Sequence, residues 1–305
     1  DLSVTVAGDA GHQSILLGDT TVGRTLTLST LAGDIAQTVG TSITADGTDA
    51  LSTLSAGGDI DLDAAGNDFA RLSVLTGADV TILDRDALDL HDVRTSGSFE
   101  LTTGDQLVLR EAANVQAGDA LTFNVTSGAL ELQDATILKS GTDIALTTTD
   151  GDFTSLAAMQ IIAGGGLSAM ITGDITFEDT TDIYALNAID LSATGDFSAS
   201  GTTTLTSTSG AIDIDSTLSG DITLTDTTQI DAKSNVTLLA NDGDIALSGN
   251  TTLSSDMGTA TLSAKVGKLS AQGTSVITGD AVTMDVQNGL TLTDQTSIIA
   301  DAGVI

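Results

Sequence analysis

The chain contains no proline, no cysteine and no tryptophan, and aromatic residues make up only 2% of its 305 residues. An average chain of this length would contain about fifteen prolines at roughly 5% usage. The absence of cysteine excludes a disulfide framework and any thiolate metal site, and it leaves the redox compartment undetermined. A core with so few aromatic rings has to be built from Leu, Ile, Val and Ala. This composition favours thin, repeated layers.

Basic residues are also scarce, because 9 Lys and Arg stand against 42 Asp and Glu and give a formal net charge of −33. Nucleic acid and anionic lipid are themselves polyanions, so we expect neither nucleic-acid binding nor membrane insertion. The sequence has no run of about 18 apolar residues, and it opens at Asp1 without a basic or apolar leader. We therefore expect that a leader has been removed or that the chain is a piece of a longer protein.

Hydrophobic residues still make up 40% of the chain, which excludes the composition typical of disordered proteins. The apolar residues do not recur at the spacing of a helix face, and the abundant Thr, Ser, Asp and Gly disfavour helix interiors. Apolar and polar residues instead alternate with a period of two, which places one set of side chains inside and the other outside. The sequence predicts an all-β protein with almost no helix.

Internal repetition predicts the architecture. Segments that begin with an apolar-x-apolar triplet follow one another at an average spacing of about 23 residues, which is too short for a propeller blade and lies in the solenoid range. We predict a parallel β-helix, or β-solenoid, of about 13 coils of about 23 residues. Residues 1–305 would form a single continuous repeat domain, as an excerpt of a longer array or as a subunit that polymerises. The segments begin at Leu2, Leu26, Leu51, Leu72, Phe99, Leu121, Ile144, Leu167, Ile189, Ile212, Val236, Ala260 and Val282.

Each segment reads as three short strands separated by corners, and the clearest corner is Gly-Asp-apolar, as in Gly220-Asp221-Ile222. Glycine suits this corner because a sharp turn needs positive φ or close backbone approach. Proline is excluded because each interior strand must hydrogen-bond to the coils above and below it. The apolar residues of this second strand should form one buried column, made of Ile35, Ile60, Leu130, Ile175, Phe197, Ile222, Ile245 and Leu290.

Repeats such as Gly173-Asp174-Ile175-Thr176-Phe177 and Gly243-Asp244-Ile245-Ala246-Leu247 are joined by returns rich in Thr, Ser and Ala. Over essentially the whole chain they resemble the right-handed β-helical repeats of filamentous-haemagglutinin-type large exoproteins and autotransporter passengers. The resemblance implies a right-handed parallel β-helix. It also implies a long extracellular bacterial fibre for adhesion, aggregation or matrix building, exported unfolded across the outer membrane. The family's amino-terminal secretion domain is not visible in this sequence.

One segment, from Leu72 to Ser98, is the longest and carries a concentration of charge. We expect a solvated loop whose charges pair with one another, with a divalent-cation site on a bulged corner as the functional alternative. The contacts of that site would be Asp84, Asp86, Asp89 and Asp92.

No resident cofactor is expected, and Ca²⁺ would bind only weakly. The Gly-Gly-x-Gly-x-Asp repeat of calcium-binding rolls is absent from the sequence. Acids that recur at the Gly-Asp corner should repel one another between adjacent coils. Millimolar Ca²⁺ should relieve this repulsion by loose bridging, and should thereby raise the thermal stability of the protein.

An enzymatic function is not expected. A lyase or hydrolase site on a β-helix needs clustered carboxylates with Arg or Lys on adjacent coils, whereas the basic residues of this chain are spread thinly. The two histidines, His12 and His91, lie about three coils apart in this register. A His-paired metal site or a Ser-His-Asp arrangement is therefore not expected.

These observations favour a structural or adhesive stalk or fibre of a bacterial cell-surface or secreted exoprotein, located outside the cell. A self-assembling surface-layer or sheath scaffold is the alternative, and a polysaccharide-binding or polysaccharide-cleaving β-helix is less favoured. The expected partners are flanking coils of the same chain or identical subunits stacked end to end. A carbohydrate or protein receptor on a host cell, a neighbouring cell or the matrix is a further expected partner.

Overall fold

The structure is a computed structural model that describes residues 1–7, 13–47 and 50–304. It is an all-β parallel solenoid of about 13 turns that lie about 23 residues apart. No helix occurs within the described residues. The predicted fold class is confirmed. The chain divides into two compact units, Asp1–Thr149 (unit 1) and Asp150–Ile305 (unit 2), and the single continuous domain stays a prediction.

Unit 1 consists of short strands whose inner residues are apolar and whose corners are polar. Its described strands are β1 (Leu2–Val6), β2 (Ile15–Leu17), β3 (Thr20–Thr21), β4 (Leu26–Thr30), β5 (Ile35–Gln37), β6 (Ile43–Ala45), β7 (Leu51–Ser55), β8 (Ile60–Leu62), β9 (Asp68–Phe69), β10 (Arg71–Thr76), β11 (Val80–Asp84), β12 (Leu88–Arg94), β13 (Phe99–Thr103), β14 (Leu107–Leu109), β15 (Asn114–Ala117), β16 (Leu121–Val125), β17 (Leu130–Leu132), β18 (Thr136–Ser140) and β19 (Ile144–Thr148).

Parallel ladders run through unit 1 from coil to coil. Ladder 1A contains β1, β4, β7, β10, β12, β15 and β18. Ladder 1B contains β2, β5, β8, β11, β13, β16 and β19. Ladder 1C contains β3, β6 and β9, whereas ladder 1D starts on the first residues of β12 and continues through β14 and β17.

Unit 2 repeats the same three-strand coil more regularly. Its described strands are β20 (Phe153–Ser155), β21 (Met159–Ala163), β22 (Leu167–Ile171), β23 (Ile175–Phe177), β24 (Thr180–Ala185), β25 (Ile189–Ala193), β26 (Phe197–Ala199), β27 (Thr202–Ser207), β28 (Ile212–Ser216), β29 (Ile222–Leu224), β30 (Thr227–Ala232), β31 (Val236–Ala240), β32 (Ile245–Leu247), β33 (Asn250–Ser255), β34 (Thr259–Ala264), β35 (Leu269–Ala271), β36 (Thr274–Val286), β37 (Leu290–Leu292) and β38 (Ser297–Val304).

Three parallel ladders hold unit 2 together. Ladder 2A runs from β21 through β24, β27, β30 and β33 to β36 and β38. Ladder 2B runs from β22 through β25, β28, β31 and β34 to the second half of β36. Ladder 2C contains β20, β23, β26, β29, β32, β35 and β37.

The core lies inside the coils and follows the period-two alternation of the strands. In β28, Ile212 and Ile214 are fully buried, whereas Asp213 and Asp215 between and beside them are half-buried. Phenylalanine provides the largest core side chains. The ring of Phe177 packs edge-on against Phe153 at 5.5 Å and against Phe197 at 5.7 Å between centroids. Such edge-to-face pairs add about 0.5–1.5 kcal/mol to the burial of their area.

The predicted buried column is wrong in its register and in one of its residues. Ile35 pairs with Ile60 in ladder 1B, whereas Leu130 belongs to ladder 1D of the same unit. Leu130 follows Gly128-Ala129 and not Gly-Asp, so the proposed column joined residues of two different ladders. Every member of the proposed column is buried except Leu290, which is 50% exposed. The members in unit 2 all belong to ladder 2C, and they are Ile175, Phe197, Ile222, Ile245 and Leu290.

The long segment from Leu72 to Ser98 has the same explanation. The ladder partner of Leu72 is Leu90, whereas Phe99 pairs with Val80 in a different ladder. The expectation that this coil is unusually long was wrong, because Leu72 lies in ladder 1A whereas Phe99, which the sequence analysis took as the start of the next coil, lies in ladder 1B. The charged residues of this stretch lie in or next to strands β11 and β12, with a turn between them at residues 85–87.

Another corner of unit 2 has a pattern that the sequence analysis missed. The residue directly before each of β24, β27, β30, β33 and β36, and the residue three positions before β38, has φ between 57° and 76°. Each is followed two positions later by Thr or Ser. In Thr228 and Thr251 the buried hydroxyl donates to the carbonyl three residues earlier, at 3.1 and 3.0 Å. Aspartate and glycine tolerate this left-handed conformation. The residues with positive φ are Asp179, Gly201, Asp226, Gly249, Gly273 and Asp294.

We predict that Ile222→Pro lowers the free energy of unfolding by about 3 kcal/mol or more. Its backbone N–H donates to Asp244 O at 2.9 Å, and its side chain is fully buried. Leu218→Pro is the matched control, since Leu218 is 61% exposed in a bend of the same coil. Thermal and urea unfolding of the two variants checks this prediction, and equal losses of stability would contradict the ladder as drawn.

Candidate functional site

The repeated aspartates of the Gly-Asp corner form hydrogen bonds between coils. In unit 1, Asp34 Oδ1 accepts from the N–H of Asp59 at 3.0 Å, and Asp59 Oδ1 accepts from the N–H of Asp79 at 3.1 Å. Asp79 Oδ1 then accepts from the N–H of Ser98 at 2.8 Å. Each carboxylate satisfies a backbone donor that lies at the corner, where the strand ladder is interrupted. We call this arrangement the aspartate ladder of unit 1.

Unit 2 contains a longer aspartate ladder with the same geometry. The N–H of each aspartate donates to the Oδ1 of its counterpart in the preceding coil, and the distances lie between 2.7 and 2.9 Å. A hydrogen bond to an ionised carboxylate is worth about 1.5–3 kcal/mol, whereas two exposed like charges about 5 Å apart in water cost at most about 1 kcal/mol. The hydrogen bonds therefore outweigh the repulsion. The ladder contains Asp152, Asp174, Asp196, Asp221 and Asp244, and it ends on the N–H of Lys268.

Close approach explains why glycine precedes these aspartates. A Cβ atom placed on Gly195 would lie 2.0 Å from Asp174 Oδ1, and one placed on Gly58 would lie 2.0 Å from Asp34 Oδ1. Neither glycine has the positive φ that the sequence analysis offered as one of two reasons. The Gly-Asp pair is therefore one unit, in which glycine makes room for the carboxylate of the preceding coil.

The coil changes its cross-section where the predicted cation site lies. Strand β12 faces one strand, β10, on one side, but on its other side it faces both β14 and β15. The chain turns between β14 and β15 through Glu111 and Ala112, which have φ of 58° and 57°. Ladder 1C has no described strand after β9. We call this region, residues 67–71, 84–94 and 110–114, the coil transition.

Asp84 replaces a missing strand partner at the coil transition. Its side chain is almost fully buried, and its Oδ2 accepts from the N–H of Phe69, at the end of β9, at 2.7 Å. Its Oδ1 accepts from the N–H of Asp86 at 3.1 Å in the following turn. Burial raises the pKa of Asp84 to about 7; the two N–H donors oppose this shift, and the charges of Asp86 and Asp68 add to it. A buried carboxyl thus satisfies two backbone donors that no neighbouring strand reaches.

Asp86 lies beside an ion pair between the half-exposed Arg85 and the buried Asp68. The guanidinium of Arg85 pairs with Asp68, which is buried, and its Nε lies 3.5 Å from Asp86 Oδ2. Burial raises the pKa of Asp68, the charge of Asp86 raises it further, and Arg85 lowers it. The sequence analysis missed Asp68 because it lies in a different coil from the Asp84–Asp92 stretch.

Asp89 belongs to a separate charged cluster on the same face. Its Oδ2 lies 3.5 Å from Arg71 Nε and 3.2 Å from Arg110 Nε, and the Nε of Arg71 also donates to His91 Nε2 at 3.0 Å. Glu111 Oε2 closes the cluster at 3.2 Å from Arg71 Nη2. Burial raises the pKa of Asp89, and Arg110, His91 and Arg71 oppose that shift in this order. The expectation that these charges pair with one another agrees with the geometry.

The four predicted cation contacts do not converge. Asp84 binds backbone donors, Asp86 faces Arg85, Asp89 faces two arginines, and Asp92 Oδ1 accepts from the N–H of Asn114 at 3.1 Å. Within the described residues, no group of three or more His, Asp or Glu side chains is placed to hold a metal ion. His12 lies outside the described residues. Weak cation contact at the exposed Asp86 and Asp92 stays a prediction.

Comparison with known proteins gives one partial match. A family described as repeats of unknown function (DUF5649) matches residues 2–76. No curated protein and no solved structure matches the chain. Among the described residues there is no helix long and apolar enough to cross a membrane. The match supports a repeat protein, as the solenoid itself does.

We predict that Gly195→Ala destabilises the protein by about 1–3 kcal/mol, because the new Cβ would overlap Asp174 Oδ1. Asp174→Ala should cost about 1.5–3 kcal/mol by leaving the N–H of Asp196 without its charged acceptor. The double variant should lose less than the sum of the two. Gly18→Ala is the control, since a Cβ there meets nothing within 4 Å. Additive losses in urea unfolding would contradict the proposed Gly-Asp unit.

We predict that Asp84 makes the protein less stable as pH rises from about 4 to about 7. The folded chain keeps on Asp84 a proton that the unfolded chain, with a pKa of 3.8, has already released. Asp84→Asn mimics the neutral acid and should remove about 2–4 kcal/mol of this pH dependence. Unfolding at pH 4.5 and 7.5 measures the difference, with exposed Asp92→Asn as the control. Equal pH dependence in the wild type and Asp84→Asn would refute the assignment.

Proposed function

We propose that this chain is a non-catalytic structural repeat segment, a stalk or fibre of a bacterial cell-surface or secreted exoprotein. The observation that carries the proposal is that successive coils are joined by the same strand ladders, and that an aspartate ladder adds a second, repeated contact over part of each unit. An array of this kind extends by adding coils without new chemistry. Length and regularity are the properties that a stalk requires.

The match to repeats of unknown function agrees with this proposal at the level of a repeat protein. The resemblance of the Gly-Asp-Ile-x-Leu repeats to filamentous-haemagglutinin-type exoproteins supports the finer proposal of an adhesive fibre outside the cell. A formal charge of −33 would keep such a fibre soluble and would repel other copies along its sides.

We propose further coils as the partner of this chain. Leu290 and Leu292 of β37 occupy inward positions of ladder 2C, yet they are 50% and 39% exposed, because β35 is the one described strand that pairs with β37. A coil in the same register would cover these side chains and continue the ladder. We propose that this coil belongs to the same long chain or to an identical subunit stacked end to end. A host-cell, neighbouring-cell or matrix receptor is proposed on the resemblance alone.

Calcium is proposed as a weak, non-resident ligand of the acidic corners. The aspartates of the two ladders use Oδ1 for the neighbouring N–H, which leaves Oδ2 as an acceptor for loosely held cations. In Asp34, Oδ2 also accepts from the hydroxyl of Ser14 at 3.4 Å. Uncaged sites of this kind bind Ca²⁺ at about 10⁻⁴ to 10⁻³ M. The effect would be a modest rise in thermal stability beyond that produced by NaCl of equal ionic strength.

Electron microscopy of the purified chain tests the proposal. We expect unbranched particles of constant width that lengthen by end-to-end contact, with and without millimolar Ca²⁺. Surface labelling of intact cells with an antibody to the chain should give a signal that external protease removes. A two-dimensional lattice would instead support the surface-layer or sheath alternative. A signal that appears only after the cells are lysed would refute the extracellular location.

A further inference from the structure

A groove of about 800 Å³ lies in unit 1 at the corner between ladders 1A and 1B. Its walls come from the ends of β1, β4, β7, β10 and β12 and the residues that follow them. Aliphatic surface comes from the exposed Leu31 and the half-buried Val6, and a single cationic side chain, Arg94, lies among the described lining residues. The groove crosses several successive coils, so a ligand that fills it must be extended.

Hydroxyl groups line this groove in register. Thr5 pairs with Ser29, Ser29 with Ser55, and Ser55 with Thr76, so that one hydroxyl from each coil lies in a file with a spacing of about 4.8 Å. The Oγ atoms of Ser55 and Thr76 are 2.9 Å apart and share a hydrogen bond. Such hydroxyls can donate to a ligand and also accept from it.

The backbone at this corner is already used by the coils themselves. The N–H of Leu31 donates to Val6 O at 3.2 Å, and the N–H of Ser96 donates to Gly77 O at 2.9 Å. The N–H of Gly57 donates to Thr30 O at 3.1 Å. A peptide strand that needs backbone partners would find few here. The groove offers side-chain hydroxyls, aliphatic surface and a guanidinium.

Arg94 differs from the other arginines of this region. Arg71, Arg85 and Arg110 all form ion pairs, whereas no described carboxylate lies within 4.0 Å of the Arg94 guanidinium. The aspartate ladder beside the groove also changes at this coil, because the position after Asp79 is occupied by Ser98. The row of acids therefore ends next to Arg94, whose guanidinium has no ion-pair partner among the described residues and lines that end of the groove.

We propose that this groove binds an oligosaccharide that carries a uronic acid, with the carboxylate on Arg94. The guanidinium fork matches a carboxylate through two parallel hydrogen bonds. The hydroxyl file, together with the acceptor oxygens of the adjacent aspartate ladder, suits the hydroxyls of the neighbouring sugar units. An all-acidic polymer would meet that same ladder with like charge, which favours a sugar with a single carboxylate at one end. The proposal does not depend on the stalk function.

Binding to the 305-residue chain is measured by titration calorimetry and by ligand-observed NMR at low ionic strength. The probe is a tetrasaccharide of 1,4-linked glucose with glucuronic acid at one terminus. The all-glucose tetrasaccharide and tetraglutamate are the comparison ligands. We expect the acidic tetrasaccharide to bind about tenfold or more tightly than either comparison ligand, and its affinity to fall as salt rises.

Arg94→Gln should lower the affinity for the acidic tetrasaccharide about tenfold and leave the melting temperature unchanged, since the side chain is exposed and has no ion-pair partner in the part of the chain that the structure describes. Arg94→Lys should retain part of the affinity because the charge remains without the fork. Arg24→Gln is the control, an exposed arginine outside the groove. The proposal would be overturned if the acidic tetrasaccharide does not bind, or if the neutral sugar or tetraglutamate binds equally well. An unchanged affinity in Arg94→Gln would overturn it as well.

Discussion

Hydrogen bonding between successive coils is the constraint on which the rest of the structure depends. Each coil buries a handful of aliphatic side chains at about 2 kcal/mol each, whereas ordering about 23 residues costs about 1–2 kcal/mol apiece. A coil is therefore stable only against its neighbours. Donors at strand starts, such as the N–H groups of Ile175, Ile222 and Ile245, are used in this way. The absence of proline and the scarcity of bulky side chains both follow from that requirement.

Acidic side chains also form hydrogen bonds between successive coils. A chain with 42 acids would be expected to place them in water. Here many of the aspartates use one oxygen to satisfy a backbone donor in the next coil, as Asp174 does for Asp196. Asp84 is the buried extreme of this use of aspartate. Burial raises its pKa to about 7, and it still accepts hydrogen bonds from two N–H groups. The repeat therefore uses acidic side chains as backbone partners at corners, where strands cannot supply the acceptor.

The sequence was sufficient to predict the class of fold, the period and most inward positions, because alternation and repetition are local properties. It could not predict which ladder a strand joins. Ile60 and Leu130 follow similar patterns but lie in different ladders, since the cross-section changes between them at the coil transition. The sequence analysis identified Asp84 and Asp89, which lie in the coil transition. The charged residues Asp68, Arg71 and Glu111 of the same region were missed, because they come from other coils and only the register brings them together.

The aspartate ladder also has a mechanical consequence. Strands of a parallel solenoid run across the direction in which coils succeed one another, so the bonds between coils point along that direction. A force that pulls successive coils apart loads these bonds a few at a time, as in a zipper. At the corners that form the aspartate ladders, each carboxylate adds one charge-assisted bond that must break with them. Resistance to such a force would therefore depend on the corners as well as on the strands.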